Sequence, residues 1–382
     1  MREAKRLKRV SEYYFSKKLK EIKEKVAAGV PIINMGIGSP DLDAPSSAIG
    51  GLIEALSEKG VHQYQSYVGR DELREAFASF YATHYGVRLN PLNEVLPLMG
   101  SKEGIFHLSM AFLNPKDVVL IPNPGYPTYA SVAQLAGARA VGYPLDEEGL
   151  PDFSAIDEKL MNRAVMMWVN YPHMPTGITL KEDGFSRIIT LAKEHDLLVI
   201  NDNPYSFIGN AHPTSILADT GGYPKVLELN SLSKVFNMAG WRVGALLGSK
   251  ELLQSVLKVK SNMDSGMFFG IQRAAAKALQ ESDSWFNQLN DVYVERRKLV
   301  ELLAKDLHLE VMPNQTGMFV WCRLPKGIKS EAFADKLVEE HAIFCAPGFI
   351  FGSEGKRFVR FSLCLSADQI EKAIMRVKTG EL

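Results

Sequence analysis

Short apolar runs alternate with helical patterns through the middle of the chain. The lengths of these runs, their β-branched residues and their flanking turn residues predict buried strands rather than helices. Between two of the runs, residues 183–195 place apolar side chains at helical spacing and predict a helix. Such alternation predicts an α/β fold of three α/β/α layers, with a mostly parallel sheet covered on both faces. The predicted strands lie in VVLIP (118–122), AVGYPL (140–145), AVMMWVN (164–170), LLVIND (197–202), KVLELNS (225–231) and VGALLGS (243–249).

The pattern changes near residue 285, where a smaller α+β module begins. We expect this module to pack with the N-terminal segment. The predicted organisation is therefore a large domain over 46–284 and a small domain built from 1–45 and 285–382. The elements that indicate the small domain are a charged helix over 285–306, the run MFVWCRLP, a helix near 330–341, the run RFVRFSLCL and a final helix from Ala367.

Composition and charge limit the classes of partner. The chain is 46% hydrophobic and 23% charged, which is typical of a globular protein. Lys plus Arg and Asp plus Glu both number 44, so the formal net charge is zero. This balance gives no basic surface for nucleic acid or anionic membrane. No apolar stretch is long enough to predict a membrane-spanning helix.

The cysteines and the N-terminal segment bear on location. Cys322, Cys345 and Cys364 lie in apolar contexts without metal-ligand spacing, so they predict a reduced cytoplasmic protein and no metal site. The first 29 residues carry ten Lys or Arg and four Glu. A targeting peptide of the transit type would be poor in acids and rich in Ser, so we expect an amphipathic surface helix or arm.

Polar residues collect where the predicted strands end. Asn170 and Asp202 each end a strand, and Ser231, Ser233 and Lys234 follow a third. Ligands of open α/β sheets bind outside the carboxyl ends of the strands. A lysine just after a buried strand either extends to the surface or has a function, because an unpaired buried ammonium is costly.

The neighbours of this lysine have the chemistry that a lysine imine with an aldehyde cofactor requires. An amine reacts when part of its population is neutral, which burial and a nearby cation such as Arg242 promote. A buried carboxylate such as Asp202 can keep a pyridine nitrogen protonated. Tyr126, in NPGYPTY, is placed to stack on a ring.

A phosphate-bearing cofactor also needs an anion site. Ser231 and Arg242 supply a hydroxyl and a guanidinium. The segment GSKEG (100–104) opens a predicted helix, so the backbone amides of Ser101 and Lys102 are candidates for the same anion.

With these residues in place, the chain resembles the class I/II aminotransferases of the fold-type I pyridoxal-phosphate family. The resemblance runs from GIGSPD at 36–41 to VRFSL at 359–363 and is most specific at SLSKVFNMAGWRVG (231–244). It implies that Lys234 forms the Schiff base and carries the proton, with Asp202 on the pyridine nitrogen and Tyr205 near the phenolic oxygen. The cofactor-binding set predicted for pyridoxal 5′-phosphate is Tyr64, Ser101, Lys102, Tyr126, Asn170, Asp202, Tyr205, Ser231, Ser233, Lys234 and Arg242.

The resemblance also implies a partner subunit and a substrate site. Tyr64 precedes Gly69 by five residues, as does the family tyrosine that reaches the phosphate of the neighbouring subunit, which implies a homodimer. Arg360 matches the arginine that binds the substrate α-carboxylate by a bidentate pair. Gly38 matches the position where the backbone lets that carboxylate approach closely.

One position departs from the family pattern. The family usually reads Asn-Pro-Thr-Gly where this chain reads Met174-Pro-Thr-Gly, and a thioether cannot donate the hydrogen bond that the asparagine gives to the cofactor's phenolic oxygen. One hypothesis is that Tyr205 supports this oxygen alone, or with His173 or water, and that the imine pKa is raised. The alternatives are that Met174 only repacks its loop and that His173 only packs or caps.

The expected reaction is ping-pong transfer of an amino group between an L-α-amino acid and a 2-oxo acid. A pyridoxal-phosphate β,γ-lyase, or related carbanion chemistry on an amino acid, is the alternative. A regulatory binding protein on the same scaffold is disfavoured because the lysine, aspartate, arginine and tyrosine set is complete. The resemblance does not choose among aspartate, alanine and diaminopimelate as substrates, and Met267, Phe268 and Phe269 either line an apolar pocket or simply pack.

Overall fold

A computed structural model describes residues 3–4, 6–7 and 14–380 of the chain. The strands are β1 (Ile33–Asn34), β2 (Val95–Leu98), β3 (Val118–Pro122), β4 (Arg139–Tyr143), β5 (Ala164–Val169), β6 (Leu198–Asn203), β7 (Val226–Ser231), β8 (Gly244–Gly248), β9 (Glu310–Val311), β10 (Phe319–Arg323), β11 (Ile343–Phe344), β12 (Ala346–Pro347) and β13 (Phe358–Ser362). The helices are α1 (Tyr14–Ala27), α2 (Ser46–Ala55), α3 (Asp71–Tyr85), α4 (Ser101–Phe112), α5 (Pro127–Leu135), α6 (Glu158–Met161), α7 (Gly184–Glu194), α8 (Leu232–Val235), α9 (Lys250–Lys260), α10 (Phe269–Ala278), α11 (Asp283–Asp306), α12 (Ser330–His341) and α13 (Ala367–Thr379). Short 3-10 turns cover Ala239–Trp241, Gly348–Phe351 and Ser353–Gly355.

The central sheet has seven strands in the order β2-β8-β7-β6-β5-β3-β4. The five strands from β7 to β4 are parallel, and β8 runs antiparallel to both of its neighbours. Each of the six apolar runs in the sequence overlaps one of these strands, and the bounds of β4 and β6 differ from those of their runs by one or two residues. The seventh strand, β2, was not predicted. The strands are continuous apolar runs because helices cover both faces, which is the usual setting of a parallel sheet. The predicted three-layer α/β architecture is confirmed.

Two apolar clusters hold the helices against the sheet. One contains Leu108 of α4, Val132 of α5 and Val256 of α9, and packs on one face. The other contains Ile188 of α7 and Val199 of β6. Successive residues of β6 divide between the clusters, with Leu198 and Ile200 in the first and Val199 in the second, as the twofold period of a strand requires.

The terminal parts of the chain form a separate set of sheets. β12, β13, β10 and β9 make a four-stranded antiparallel sheet in that order, and β1 pairs with β11 in parallel. The N-terminal strand therefore joins the C-terminal part of the chain through pairs such as Ile33 with Ile343.

Helix α1 lies within the N-terminal segment for which an amphipathic helix is predicted. Its buried residues are Phe15, Lys18 and Ile22, which share one face of the helix. Lys18 Nζ lies 2.7 Å from Asp335 of α12, so an ion pair fastens α1 to the C-terminal part. No helix among the residues described here is both long and apolar enough to cross a membrane.

Candidate active site

A cavity of about 420 Å³ opens at the carboxyl ends of β5, β6 and β7. Parallel strands bring the residues that follow them to one edge of a sheet, which explains why the predicted polar residues meet there. Tyr64 is the one predicted site residue that does not line the cavity. The predicted residues that do line it are Gly38, Ser101, Lys102, Tyr126, Asn170, Asp202, Tyr205, Ser231, Ser233, Lys234, Arg242 and Arg360.

Asp202 is a buried carboxylate with one unused oxygen. It is the second-last residue of β6, and its Oδ2 accepts a hydrogen bond from Tyr129 Oη at 2.8 Å. Oδ1 is buried and has no hydrogen-bond partner within the described part of the chain. Burial raises the pKa of Asp202 to about 6, against the opposing effect of the Tyr129 hydrogen bond. The free oxygen in the cavity wall is suited to a cationic N–H donor.

Tyr129 was not predicted as a site residue. Its ring stacks on Trp168, with ring centroids 4.8 Å apart and planes 7° from parallel. Tyr126, the residue before α5, contacts it edge-on at 5.6 Å. A signal was present in the sequence, because NPGYPTY places Tyr129 three residues after Tyr126 at the start of a helix, where both side chains share a face.

Lys234 lies in α8, the single turn that follows β7. Its Nζ donates a hydrogen bond to the backbone oxygen of Gly38. Burial lowers the pKa of Lys234, and the charges of Arg360 and Arg242 lower it further. The side chain therefore has a larger neutral fraction than an exposed lysine, which is the form that attacks an aldehyde.

Three side chains, one at the end of β7 and two after it, are placed to form part of an anion site. Ser231 Oγ accepts a hydrogen bond from the Ser233 amide at 3.2 Å and so caps α8. Arg242 Nη1 lies 3.4 Å from Ser233 Oγ. The guanidinium and the two hydroxyls line the same cavity, so they can bind a phosphate together.

The start of α4 completes this anion site. Gly100 precedes the helix with a φ of +84°, a conformation that glycine adopts without strain. A β-carbon at this position would contact the Arg242 guanidinium, so the glycine lets the arginine approach the helix end. Ser101 and Lys102 follow as the first residues of α4, whose N-terminal amides attract anions.

Arg360, on β13, lines the same cavity and is buried. Its Nη2 donates to the Gly36 oxygen at 3.0 Å, and its Nη1 lies 3.2 Å from Met174 Sδ. The guanidinium carbon is 3.8 Å from the centre of the Phe319 ring and 4.7 Å from that of Phe351. The surrounding rings fix the direction in which this cation faces a ligand.

Gly38 forms part of the same wall. A β-carbon at Gly38 would overlap the ring of Phe319, so only glycine fits between that ring and the cavity. The backbone here is therefore open to a ligand that lies close to Arg360.

Asn170 fastens the loop that follows β5. Its Nδ2 donates to the backbone oxygen of Asp202, and its Oδ1 accepts from the Met174 amide at 2.8 Å. Both ends of the Asn170 amide are therefore bonded to the backbone, and the Met174 side chain faces the cavity and Arg360.

His173 is buried but does not line the cavity. Its Nδ1 lies 2.7 Å from Thr176 Oγ1 within the same turn. Burial lowers the pKa of His173 to about 3, so the ring is neutral at physiological pH. This geometry favours the packing interpretation over a second acid or base.

Tyr205 is a buried phenol in the cavity wall. Its ring contacts Phe319 edge-on at 5.9 Å, and burial raises its pKa. The hydroxyl therefore keeps its proton at neutral pH and can donate a hydrogen bond.

Tyr64 and its neighbours form a different surface. Tyr64 is 91% exposed, and it borders a shallow depression shared with Gln63, Met267 and Phe268. Met267 is buried, Phe268 is 39% exposed, and Phe269 packs under the guanidinium of Arg70. None of the residues 267–269 lines the main cavity. Within a single chain, these side chains therefore pack against their neighbours and form no part of that cavity.

The residues of the cavity fit pyridoxal phosphate. The unused oxygen of Asp202 suits the ring nitrogen, Lys234 supplies a partly neutral amine, and the Arg242 region suits the phosphate. Within the described ranges, no cluster of His, Cys, Asp or Glu is arranged to hold a metal ion.

Comparisons with known proteins agree with this chemistry. Residues 30–377 match the family model for aminotransferases of class I and II. The LL-diaminopimelate aminotransferase of Halothermothrix orenii is 37% identical over 100% of this chain and 99% of its own length. The corresponding enzyme of Aquifex aeolicus is also 37% identical, over 99% and 98%.

Solved structures give the same result. Substrate-bound BacF from Bacillus subtilis superimposes with a TM-score of 0.92 at 34% identity, over 99% of this chain and 97% of BacF. A probable N-succinyldiaminopimelate aminotransferase from Thermus thermophilus gives 0.88 at 35%, over 95% and 99%. These matches support amino transfer rather than a lyase reaction. The chain belongs to the class I and II aminotransferases, and it is a pyridoxal-phosphate-dependent enzyme of that family.

Proposed function

We propose that Lys234 holds the cofactor covalently and carries the proton during transfer of an amino group between an L-α-amino acid and a 2-oxo acid. The observation that carries this assignment is the pairing, in one cavity, of a partly neutral lysine with a buried aspartate whose Oδ1 has no partner among the described residues. Asp202 then supports the ring nitrogen, and Tyr205 donates to the phenolic oxygen.

The substrate is held at its carboxylate. Arg360 binds the α-carboxylate beside the open backbone of Gly38, which places the α-carbon within reach of Lys234 Nζ. When bound, pyridoxal phosphate supplies an electron-poor ring that stabilises negative charge at that carbon. With the substrate held in this way, the neutral Nζ of Lys234 would be the group that takes and returns the α-proton.

The residues around Arg242 would hold the cofactor's phosphate. Ser231, Ser233 and Arg242 would supply side-chain contacts, and Ser101 and Lys102 would supply the amides at the start of α4. Tyr126 would cover one face of the ring, and Asn170 holds the loop that carries Met174 in the cavity wall.

The visible spectrum of the holoenzyme tests this assignment. We expect an amino acid to bleach the absorption of the bound cofactor and a 2-oxo acid to restore it. Lys234→Arg keeps the charge but removes the reactive amine, so we expect the rate to fall roughly a thousandfold. The matched control is Lys250→Arg, on the exposed start of α9. Accumulation of pyruvate and ammonia without consumption of an oxo acid would instead establish the lyase reaction.

We propose a homodimer in which Tyr64 reaches the phosphate site of the neighbouring subunit. Tyr64 is exposed, and so are three large side chains near it in sequence or space, Tyr67, Met263 and Phe268. Because large apolar side chains are seldom exposed together, this surface is suited to an interface. Sedimentation velocity tests the dimer. Tyr64→Phe is expected to weaken cofactor retention by roughly tenfold without changing the oligomeric state.

We also propose the domain division 46–284 against 1–45 plus 285–382, and a cytoplasmic location. The division is supported by the separate sheets, although α11 begins against the large domain, with Trp285 Nε1 donating to the Val235 oxygen at 2.9 Å. Limited proteolysis near residues 45 and 284 tests it.

The location is supported by the free thiols of all three cysteines, and thiol labelling in intact cells tests it.

A further inference from the structure

A carboxylate lies in the same helical turn as the proposed phosphate site. Glu103 is the third residue of α4, directly after Ser101 and Lys102. The amides of a first helical turn have no partner within the helix, and they attract a nearby anion. Ser101 and Lys102 line the cavity, whereas Glu103 does not. The helix start therefore carries an anion of its own, placed outside the cavity wall.

Both oxygens of Glu103 are bonded to other groups. Oε2 accepts a hydrogen bond from the backbone amide of Met99, the residue that follows β2. Oε1 lies 2.8 Å from His107 Nε2, one turn further along α4. A carboxylate accepts hydrogen bonds, so Nε2 is the ring nitrogen that donates. Each oxygen thus has a partner other than the amides of Ser101 and Lys102.

His107 has Glu103 as its hydrogen-bond partner and no other in the part of the chain that the structure describes. The His107 side chain is fully buried, and that of Glu103 is 9% exposed, so the pair is formed within one chain. Nδ1 of the ring is buried and unpaired among the same described residues. Burying an imidazole with an unpaired nitrogen is unfavourable, so this histidine is a costly choice for packing alone. Its polar contribution is to hold the Glu103 carboxylate.

The backbone at the start of α4 is fixed against the central sheet. A β-carbon at Gly104 would overlap the end of the Leu229 side chain on β7. A β-carbon at Gly244, the first residue of β8, would overlap the Asn230 oxygen and lie 3.1 Å from the Ser101 nitrogen. Because the helix start packs so closely, the access of an anion to its amides depends on the side chains around them.

We propose that Glu103 and His107 are positioning residues for the cofactor's phosphate. A glutamate at the third helical position commonly reaches back to an amide at the helix start. His107 instead holds the Glu103 carboxylate on the Met99 amide and so leaves the amides of Ser101 and Lys102 to the phosphate. Without His107, the released carboxylate competes with the phosphate for these amides and repels it. This inference rests on the proposed function, because it takes the Arg242 region as the phosphate site.

Two probes separate the phosphate from the rest of the cofactor. Pyridoxal phosphate and pyridoxal differ only in the phosphate, and equilibrium dialysis against the cofactor-free protein gives the dissociation constant of each. We expect His107→Leu to weaken binding of pyridoxal phosphate roughly tenfold and to change that of pyridoxal by less than roughly twofold. Equal losses for the two probes would overturn the inference, because His107 would then act only through packing.

Two further variants serve as controls for His107→Leu. His107→Gln keeps an N–H donor near the place of Nε2, so we expect it to retain both wild-type affinities. His84→Leu removes a half-buried histidine of α3, which contacts the Phe207 ring edge-on at 5.2 Å and does not line the cavity. It is expected to leave the ratio of the two affinities unchanged. If His107→Leu does not fold, His107→Met replaces it, with the same expected result.

The charge of Glu103 gives a second test. Glu103→Gln removes the charge but keeps an oxygen that can accept from the Met99 amide. In the His107→Leu background, we expect this change to restore the affinity for pyridoxal phosphate, because the competing anion is gone. A role in packing alone predicts losses that add. A double variant as weak as His107→Leu, or weaker, would therefore overturn the inference.

The wild-type protein distinguishes the two possible failures. If it binds pyridoxal as tightly as pyridoxal phosphate, the phosphate site of the proposed function is wrong, and this inference fails with it. If it prefers pyridoxal phosphate and His107→Leu keeps that preference unchanged, the proposed function stands and only this inference is overturned.

Discussion

Tyr129 Oη donates a hydrogen bond to Asp202 Oδ2 across 2.8 Å of buried protein. Tyr129 is itself held by stacking on Trp168, so the donor is fixed before any ligand binds. The contact stabilises the ionised carboxylate, because it lowers the pKa of Asp202 against the larger effect of burial. Tyr129 thereby favours the charged form of Asp202, which is the form that the proposed contact with the ring nitrogen requires.

Tyr129→Phe should therefore raise the pKa of Asp202 and weaken cofactor binding. We expect an increase of roughly tenfold in the dissociation constant of pyridoxal phosphate at neutral pH, with the loss growing as the pH falls. Equilibrium dialysis across pH 5.5–8 measures it. Tyr143→Phe removes another buried hydroxyl, one that donates to the Trp168 oxygen at 2.6 Å, and serves as the control. A pH dependence equal in the two variants would show that Tyr129 acts only through packing.

The stability of the cofactor-free protein should depend on Asp202. Burial raises its pKa from 3.8 to about 6, so the folded state disfavours the charge. The neutral carboxyl therefore contributes to the free energy of unfolding. This contribution, about 3 kcal/mol in total, is fully present below pH 4 and is lost as the pH rises through 6. Urea unfolding of wild type and Asp202→Asn at pH 4–7 measures the difference. Parallel stability profiles would contradict the shifted pKa.

Met174→Asn should lower the pKa of the linkage between Lys234 and the cofactor. An amide at this position can donate to the phenolic oxygen, whereas the thioether sulfur instead lies 3.2 Å from Arg360 Nη1. We expect the midpoint of the chromophore titration to fall in Met174→Asn and to stay unchanged in Met174→Leu. The same midpoint in all three proteins would mean that Met174 only repacks its loop.

Glu228→Gln should destabilise the fold. The Glu228 carboxylate accepts hydrogen bonds from Tyr81 Oη at 2.7 Å, Asn201 Nδ2 at 2.9 Å and Ser215 Oγ at 2.9 Å. The Ile216 amide adds another at 3.1 Å, so an amide NH₂ in this place would face donors. We expect a loss of about 2–4 kcal/mol in the free energy of unfolding.

Chemical denaturation measures the Glu228 effect. The matched control is Glu24→Gln on the exposed face of α1, where the same change should alter stability by less than about 0.5 kcal/mol. An equally small change at position 228 would show that the network rearranges around the amide.

The sequence predicted six of the seven strands of the central sheet and most of the polar residues of the cavity for one physical reason. Buried parallel strands are continuous apolar runs, and their carboxyl ends carry the polar residues that a ligand needs. Asp202 and Lys234 are therefore visible as departures from apolar surroundings. The pairs β1–β11 and β10–β9 were not predicted, because strands of two residues depend on distant partners rather than on their own pattern.

The apolar side of the cavity was also beyond the sequence. Phe15 and Ile37 are ordinary apolar residues of a helix and a loop, and nothing local distinguishes them from core residues. Their place in the cavity wall depends on the ion pair of Lys18 with Asp335 and on the pairing of β1 with β11. Only the folded chain brings together these contributions from its two ends.

That pairing of β1 with β11 joins the N-terminal segment to the C-terminal part of the chain, in a sheet separate from the central one. Arg360 lies on β13, and α1 is fastened to α12, so the side chains that these two elements place in the cavity belong to the terminal parts of the chain. The residues proposed to bind the cofactor lie at the ends of strands of the central sheet or in the segments that follow them. A change within the terminal sheets would therefore alter which substrate fits, and a change where those sheets meet the central one would alter how well any substrate is aimed at Lys234.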